Sequence, residues 1–346
     1  MTDTYPDLQQ WERGPKIAAV GGGTGLSTML RGLKRYTRNL SAIVTVADDG
    51  GGSGMLRRDM GILPPGDIRH CMEALANTEP IMERLLTYRF TEGALAGQSF
   101  GNLFLAALNG VTGSFEEAVR QMSKVLAVTG QIIPVTGADV QLEAVFENGA
   151  RVVGESGICA CKKEQNCRID HVDLIPEHPA PMQSALRAIR EADLILLGPG
   201  SLYTSIIPNL LVDGVAEEIV KAPAPKIYIC NIMTQEGETE GYTAADHVEA
   251  LLAHGGRDLV DICLANSTPV PPDLVEKYQE ESAAPLRVDR ERLAALGLEL
   301  VELPVADTQG NYARHDPEKL AQALLEIYRS RAVRIFKGSR RYILED

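Results

Sequence analysis

Glycines and small hydroxyl residues cluster where a ligand phosphate could bind. Gly21-Gly22-Gly23-Thr24-Gly25 follows an apolar segment that predicts a buried strand, and it leads into a segment of helical periodicity. Such a loop leaves backbone N–H groups free at the positive end of a helix dipole, where anions bind. It lacks the lysine of a Walker loop and the third glycine of a dinucleotide motif. We predict a phosphate or diphosphate site here; the alternative is a tight turn whose glycines serve only backbone geometry.

A second loop, Gly198-Pro199-Gly200-Ser201, repeats this arrangement in the other half of the chain. It follows another apolar segment and precedes Leu202-Tyr203-Thr204-Ser205, which is rich in hydroxyl groups at the predicted start of a helix. Ligands of open parallel sheets bind beyond the carboxyl ends of the strands. Two such loops at one edge of a sheet could therefore hold a diphosphate between them.

Two adjacent carboxylates, Asp48 and Asp49, follow the second predicted strand. A dinucleotide-binding fold places an acid there to hold a ribose. Paired carboxylates beside a phosphate loop could instead hold Mg²⁺, which takes oxygen ligands and bridges to phosphates. An Asp-Gly turn without a ligand is the third interpretation. Asp67, in Pro65-Gly66-Asp67, adds another acid, which is equally plausible as a helix N-cap.

Strand-length apolar segments alternate with helical ones through most of the chain, which is typical of a parallel sheet covered by helices on both faces. We expect an α/β fold with a Rossmann-like, doubly wound, mostly parallel sheet and an antiparallel hairpin inserted around residues 140–175. A polar N-terminal extension, residues 1–14, precedes a single nucleotide-binding domain over residues 15–346. The predicted strands of the main sheet are 16–20, 42–46, 131–136, 193–197, 226–230, 260–265 and 298–303.

The charge balance argues against a nucleic-acid partner. The 346 residues include 34 Lys and Arg against 47 Asp and Glu, a formal net charge of −13, whereas affinity for a polyanion needs clustered cations. No apolar segment approaches the roughly 20 residues of a membrane span, and no signal peptide is visible. We therefore expect a cytoplasmic protein.

Three of the six cysteines cluster at Cys159, Cys161 and Cys167. Their C-x-C-x5-C spacing lacks the C-x2-C pair of most structural zinc sites, although His171 and His178 follow closely. We favour thiols on a lysine-rich loop over a metal site.

Several motifs, occurring in a fixed order, give the chain a family resemblance. They are Gly21–Gly25, Val44–Gly54, Pro65–Asp67, Phe100–Asn102, Gly198–Ser205 and Asn231–Gln235. Together they resemble the YvcK-type gluconeogenesis factors, which are related to the CofD-type 2-phospho-L-lactate transferases. The resemblance implies a Rossmann-like fold that binds UDP-sugars such as UDP-N-acetylglucosamine and links carbon supply to cell-wall (peptidoglycan) synthesis and cell shape.

Residue by residue, the resemblance implies a nucleotide site. A late tyrosine and arginine, matched here by Tyr278 and Arg314, would hold the nucleotide sugar, and Asp48 and Asp49 would be candidate Mg²⁺ ligands. Gly52 replaces a serine of the family pattern and removes one hydroxyl near phosphate. The full candidate set is Gly22, Gly23, Thr24, Gly25, Asp48, Asp49, Ser53, Asn102, Gly200, Ser201, Tyr203, Asn231, Tyr278 and Arg314.

We expect a ligand-binding regulatory protein rather than an enzyme. The sequence identifies no catalytic residues. The alternative is a Mg²⁺-dependent transferase acting on a nucleoside-diphosphate-linked substrate. A dinucleotide-dependent oxidoreductase is disfavoured by the missing third glycine, although NAD could occupy such a cleft adventitiously. No cofactor is required, Mg²⁺ could contribute, and the partners would be regulators of cell-wall synthesis or a second copy of the chain.

Overall fold

The computed structural model describes residues 12–165 and 167–341, so most of the predicted N-terminal extension, residues 1–11, lies outside the described part. In chain order the strands are β1 (Ile17–Gly21), β2 (Leu40–Val44), β3 (Gln131–Pro134), β4 (Gln141–Phe146), β5 (Arg151–Val153), β6 (Ile169–Ile175), β7 (Leu194–Leu197), β8 (Lys226–Ile229), β9 (Ile262–Asn266), β10 (Glu299–Leu303), β11 (Ala306–Asp307) and β12 (Arg314–His315).

Helices connect these strands. They are α1 (Gly23–Leu33), α2 (Gly51–Met60), α3 (Gly66–Leu75), α4 (Pro80–Thr87), α5 (Phe100–Thr112), α6 (Phe115–Val125), α7 (Glu155–Gln165), α8 (Gln183–Arg190), α9 (Ile207–Leu210), α10 (Val215–Lys221), α11 (Ala244–Gly255), α12 (Pro272–Glu280), α13 (Arg290–Ala295) and α14 (Pro317–Arg341).

The main sheet has seven strands in the order β10-β9-β8-β7-β1-β2-β3. Every neighbouring pair is parallel. The chain builds outward from β1 through β2 to β3 and then returns to the other side of β1 with β7. A gap between the loops that follow β1 and β7 is the switch point at which doubly wound sheets bind ligands. The predicted Rossmann-like fold is confirmed.

The central strands are apolar along their whole length because helices cover both faces of the sheet. All residues of β1 and of β7 are buried. Helix α1 forms where the sequence has helical periodicity, and its apolar residues Leu26, Met29, Leu30 and Leu33 are each 0% exposed. Each of the seven predicted strands is present, with ends displaced by at most two residues.

The inserted unit is an antiparallel sheet of three strands in the order β5-β4-β6. Strands β4 and β5 form the predicted hairpin, and β6 pairs with the other edge of β4. The expected loop of cysteines is wrong in one respect, because Cys159 and Cys161 lie on α7 between β5 and β6. Lys162, also on α7, is 3% exposed, and its Nζ lies 3.2 Å from Glu240 Oε2.

Helix α2 was not predicted, because three of its first four residues are glycines, which disfavour helices. Tertiary contacts overcome this preference. Arg57, only 9% exposed, donates from Nη2 to the Val140 carbonyl oxygen at 2.7 Å. Gly54 must be small, since a Cβ atom there would overlap the Asp49 carbonyl group. Helix α2 therefore begins directly after the acidic pair and fixes its position. In the part of the chain that the structure describes, no helix is long and apolar enough to cross a membrane.

Candidate functional site

A cleft of about 460 Å³ opens at the switch point. Its floor comes from the loops after β1, β7 and β8, and its outer wall comes from α12 and the segment around β12. The residues that line it are Gly23, Thr24, Gly25, Thr28, Pro199, Gly200, Ser201, Ser205, Asn231, Ile232, Met233, Thr234, Gln235, Glu236, Tyr278, Glu281, Ala283, Tyr312, Ala313, Arg314 and His315. Eight candidates from the sequence are among them: Gly23, Thr24, Gly25, Gly200, Ser201, Asn231, Tyr278 and Arg314.

The first glycine loop leaves the start of α1 open. Gly22 occupies the N-cap position, no side chain caps the helix, and its first turn contains no acidic residue. Gly23 has a φ of +67°, which favours glycine. Gly25 allows the loop to pass close to the second loop, because a Cβ atom would lie 2.6 Å from the Pro199 carbonyl oxygen. The first N–H groups of α1 thus remain available to an anion in the cleft.

The second glycine loop is different, because a carboxyl group of the protein itself accepts hydrogen bonds from the N–H groups that follow it. Glu238 is 0% exposed, and one of its oxygens accepts hydrogen bonds from the N–H groups of Tyr203 at 3.0 Å and Thr204 at 2.9 Å. Ser201 donates to Gln235 Oε1 at 2.8 Å, and Asn231 donates to the Gly200 carbonyl oxygen at 2.9 Å. This loop therefore shapes the cleft, while the helix start behind it is already occupied.

Tyr203 lies outside the lining. Its ring is 2% exposed, and its hydroxyl lies 2.9 Å from the Tyr242 hydroxyl. Asn102 also lies elsewhere: it is 3% exposed, and its Oδ1 accepts a hydrogen bond from Arg69 Nε at 2.8 Å. Both side chains are therefore engaged within the protein.

Aromatic and cationic side chains form the outer wall. The rings of Tyr278 and Tyr312 meet edge to face with centroids 6.4 Å apart. The Arg314 guanidinium carbon lies 4.9 Å from the Tyr312 ring centroid, and Lys277 Nζ lies 4.2 Å from the same centroid. Burial raises the pKa of Tyr278, and its hydroxyl lies 3.4 Å from the Ala313 carbonyl oxygen, to which it donates. The cleft thus has an amide-lined end and an aromatic end with positive charge.

Asp48 and Asp49 point to different partners. Asp48 accepts from the Gly50 N–H group at 2.8 Å and from the Ser53 hydroxyl, and burial raises its pKa, with Asp67 contributing repulsion. Asp49 instead accepts from Ser156. The Asp67 carboxylate lies against Gly22, the N-cap residue of α1, since a Cβ atom at Gly22 would overlap it.

These carboxylates fit Mg²⁺ only in part. Within residues 12–165 and 167–341, no three His, Cys, Asp or Glu side chains are arranged to hold a metal ion by themselves. Mg²⁺ is commonly held by one or two carboxylates together with ligand phosphates. Asp48 and Asp67, beside the first glycine loop, are therefore the pair that could hold the ion with a phosphate, whereas Asp49 is engaged with Ser156.

Buried carboxylates extend this acidic region. Burial raises the pKa of Glu155 to about 8, with Asp48 and Asp67 adding repulsion, and burial raises the pKa of Glu238 to about 7. Burial also raises the pKa of Cys159 to about 11, so that its thiol stays protonated at neutral pH. Cys159 therefore lacks the thiolate character of a reactive cysteine.

Sequence reasoning missed several lining residues, notably Tyr312 and His315. Tyr312 lies within two positions of Arg314, but nothing local indicates that its ring meets Tyr278. His315 forms its backbone pair with Ala306 in the small sheet of β11 and β12, and a two-residue strand has no periodicity to detect.

The strand order and the cleft at its switch point define a Rossmann-like α/β protein. A family model described as 2-phospho-L-lactate transferase CofD matches residues 17–306. A putative gluconeogenesis factor of Thermoanaerobacterium thermosulfurigenes is 55% identical over 312 residues, 90% of this chain and 96% of that protein. The gluconeogenesis factor of Bacillus subtilis is 51% identical over 314 residues, 90% of this chain and 98% of its own length. The chain therefore belongs to the CofD family and, within it, to the gluconeogenesis factors.

A solved structure has the same fold. The crystal structure of a Bacillus halodurans protein of the UPF0052 family superposes with a TM-score of 0.87 at 44% identity, covering 90% of this chain and 99% of that one.

Proposed function

We propose that this gluconeogenesis factor binds a nucleotide sugar of the UDP-N-acetylglucosamine type in the cleft and acts as a regulatory protein in the cytoplasm. One observation carries the proposal: the open start of α1 faces the same cleft as Arg314 and the Tyr278–Tyr312 pair. A diphosphate suits the amide-lined end, and a planar base suits the aromatic end. The bound state would link carbon metabolism to cell-wall synthesis and cell shape.

Charge supports a small anionic ligand rather than a polyanion. The chain carries a net charge of −13, so attraction of phosphate depends on local donors. Backbone N–H groups of α1 and the exposed guanidinium of Arg314 supply them without a basic surface. NAD shares a diphosphate and a ribose with UDP-sugars, and we expect it to compete weakly for the same cleft.

Titration calorimetry with UDP-N-acetylglucosamine tests this function. Arg314→Ala and Tyr278→Ala should each weaken binding by about 1–3 kcal/mol, roughly 10- to 100-fold, because each removes a charge-assisted or stacking contact. Arg290→Ala is the matched control, since Arg290 is exposed, pairs with Glu302 at 2.7 Å and does not line the cleft. Absence of binding heat at millimolar UDP-sugar would exclude the proposal.

A second candidate is a Mg²⁺-dependent transferase acting on a nucleoside-diphosphate-linked substrate. It is favoured by Asp48 and Asp67 beside the first glycine loop. Mg²⁺ held there would neutralise phosphate charge, while Gly23–Gly25 orient the diphosphate. This activity requires Mg²⁺-dependent product formation that Asp48→Asn abolishes. A nucleotide-sugar complex that stays intact for hours with Mg²⁺ present would count against it.

A further inference from the structure

The outward side of helix α5 is apolar although it faces solvent. The helix spans 13 residues without a charged side chain. Its buried residues lie on one side and are Gly101, Asn102, Leu105 and Ala106. The opposite side is an apolar stripe at helical spacing, formed by Phe100, Phe104, Ala107 and Val111. Val111, at the end of the stripe, is 83% exposed. Because surface helices usually carry charged or polar residues on this side, the composition of α5 is typical of a helix that is covered on both sides.

The neighbouring helix α4 also exposes apolar side chains. Ile81, Leu85 and Tyr88 follow one another at helical spacing and are 60%, 39% and 50% exposed. Within residues 79–97, one side chain, that of Leu86, is buried. A helix as short as α4 is not stable by itself in water, and one buried leucine offsets little of the entropy lost on ordering this segment. A partner that covers the segment would supply the missing apolar burial.

Close packing holds the two helices in fixed positions. The Phe100 N–H group donates to the Tyr88 carbonyl oxygen at 2.8 Å, so that the end of one apolar stripe lies beside the start of the other. Gly101 allows the close approach, because a Cβ atom there would lie 2.8 Å from the Leu86 carbonyl oxygen. The two helices therefore form one rigid apolar surface. This α4–α5 surface consists of Ile81, Leu85, Tyr88, Phe104, Ala107 and Val111.

We propose that the α4–α5 surface is the interface of a homodimer, in which two copies of the chain cover it around a two-fold axis. The inference goes beyond nucleotide binding and does not depend on it. Permanent interfaces between copies resemble a protein core in their apolar composition, whereas partners that dissociate use more polar surfaces. Residues 79–97 and the outward side of α5 together match the scale of about 20–30 residues that each side of a stable interface contributes.

Charged residues beside the surface also fit a second copy. Glu83 and Arg84 are adjacent and exposed on α4, and Arg89 and Glu92 follow, also exposed. A two-fold axis brings a surface against itself, so acids and bases in it can pair across the axis, whereas charges of one sign would repel. A membrane fits less well, because helices that bind anionic lipid carry an excess of lysine and arginine. Both signs are present here, in a chain of net charge −13.

Sedimentation velocity of the full chain, over about 1–100 µM protein, tests the interface. Wild type should be a dimer in this range. Val111→Lys and Leu85→Lys each place a charge in the apolar surface twice per dimer, so each should raise the Kd of the dimer at least about 100-fold. Val153→Lys is the matched control, since Val153 is 46% exposed on β5 and lies opposite Glu143. It should leave the Kd within about threefold of wild type.

Hydrogen exchange of wild type gives a second measurement that needs no substitution. The backbone amides of α4 and α5 should exchange more slowly at a protein concentration above the Kd than below it. If the Lys variants do not fold by circular dichroism, this comparison decides, and exchange rates in α4 and α5 that do not depend on concentration overturn the proposal.

Three other results would also overturn it. The first is a wild type that stays monomeric at about 100 µM. The second is a dimer that neither Val111→Lys nor Leu85→Lys weakens, or that Val153→Lys weakens equally. The third is a wild-type monomer that cosediments with vesicles of phosphatidylcholine and phosphatidylglycerol, which would assign the surface to a membrane. A monomer that does not bind these vesicles would leave a different protein as the occupant.

Discussion

Asp49 accepts two hydrogen bonds from Ser156, one from its backbone N–H group at 3.0 Å and one from its hydroxyl at 2.9 Å. Ser156 is the second residue of α7, so the Asp49 carboxylate acts as a cap supplied from a distant part of the chain. The acidic loop after β2 is thereby joined to the inserted unit. Asp49 has a structural partner, which leaves Asp48 and Asp67 as the carboxylates beside the first glycine loop.

Asp49→Ala should destabilise the protein by about 1–2 kcal/mol, since it removes a charged helix cap and leaves a Ser156 N–H group without its partner. Urea unfolding followed by circular dichroism measures the change. Asp59→Ala is the control: Asp59 is exposed on α2, and its removal should change the free energy of unfolding by less than about 0.5 kcal/mol. Equal effects of the two substitutions would contradict the capping role.

Gly32→Ala and Gly110→Ala should change the stability of the protein in opposite directions, although both sites are inside helices. A Cβ atom at Gly32 would overlap the Pro317 carbonyl group at the start of α14, whereas a Cβ atom at Gly110 would meet nothing within 4 Å. Overpacking should make Gly32→Ala destabilising by about 1–3 kcal/mol. Gly110→Ala should stabilise α5 by about 0.5–1 kcal/mol because alanine is the better helix former. The melting temperatures of both variants measure these changes. A Gly32→Ala variant more stable than wild type would contradict the close packing of α1 against α14.

Glu155 should make the protein less stable as the pH rises, because its pKa is higher in the folded state than its unperturbed value. Its pKa is about 8 in the folded state against 4.5 as the unperturbed value. Between these values the folded state binds the proton and the unfolded state does not, so stability falls as pH rises from about 4.5 to 8. Glu155→Gln should therefore raise the melting temperature by roughly 5 °C at pH 8.5, and the gain should vanish near pH 4.5.

The matched control for this pH series is Glu326→Gln, at an exposed position of α14. It should follow the wild-type curve throughout. A Glu155→Gln variant whose advantage is constant with pH would show that ionisation of this carboxylate is not the cause.

Local sequence patterns predicted the fold well because continuous apolar strands such as β1 and β7 carry their own signal. The first glycine loop was also predictable, since strand, loop and helix are contiguous there. The contact partners of individual side chains were not predictable from these local patterns. Tyr203 sits beside a candidate loop, yet its hydroxyl meets Tyr242 in the core. Asp49 is adjacent to Asp48, yet it faces Ser156, 107 positions away.

Local sequence patterns also did not predict the fold of the cysteine segment or the presence of α2. Spacing showed that Cys159, Cys161 and Cys167 do not match a common zinc site, but it could not show that the segment folds as α7, with Lys162 buried against Glu240. The glycines at the start of α2 argue against a helix, and only contacts such as that of Arg57 with Val140, 83 residues apart, reverse the preference. Long-range partners decide these features.

The cleft is assembled from both ends of the described chain. Gly23 is among its first lining residues and His315 is its last, and α14 then packs against Gly32 directly behind the first glycine loop. During synthesis on a ribosome, the phosphate loop would emerge long before Arg314 and His315 could face it. A ligand that needs both walls would bind only after the whole domain has emerged and folded, so its occupancy would report completed synthesis as well as ligand supply.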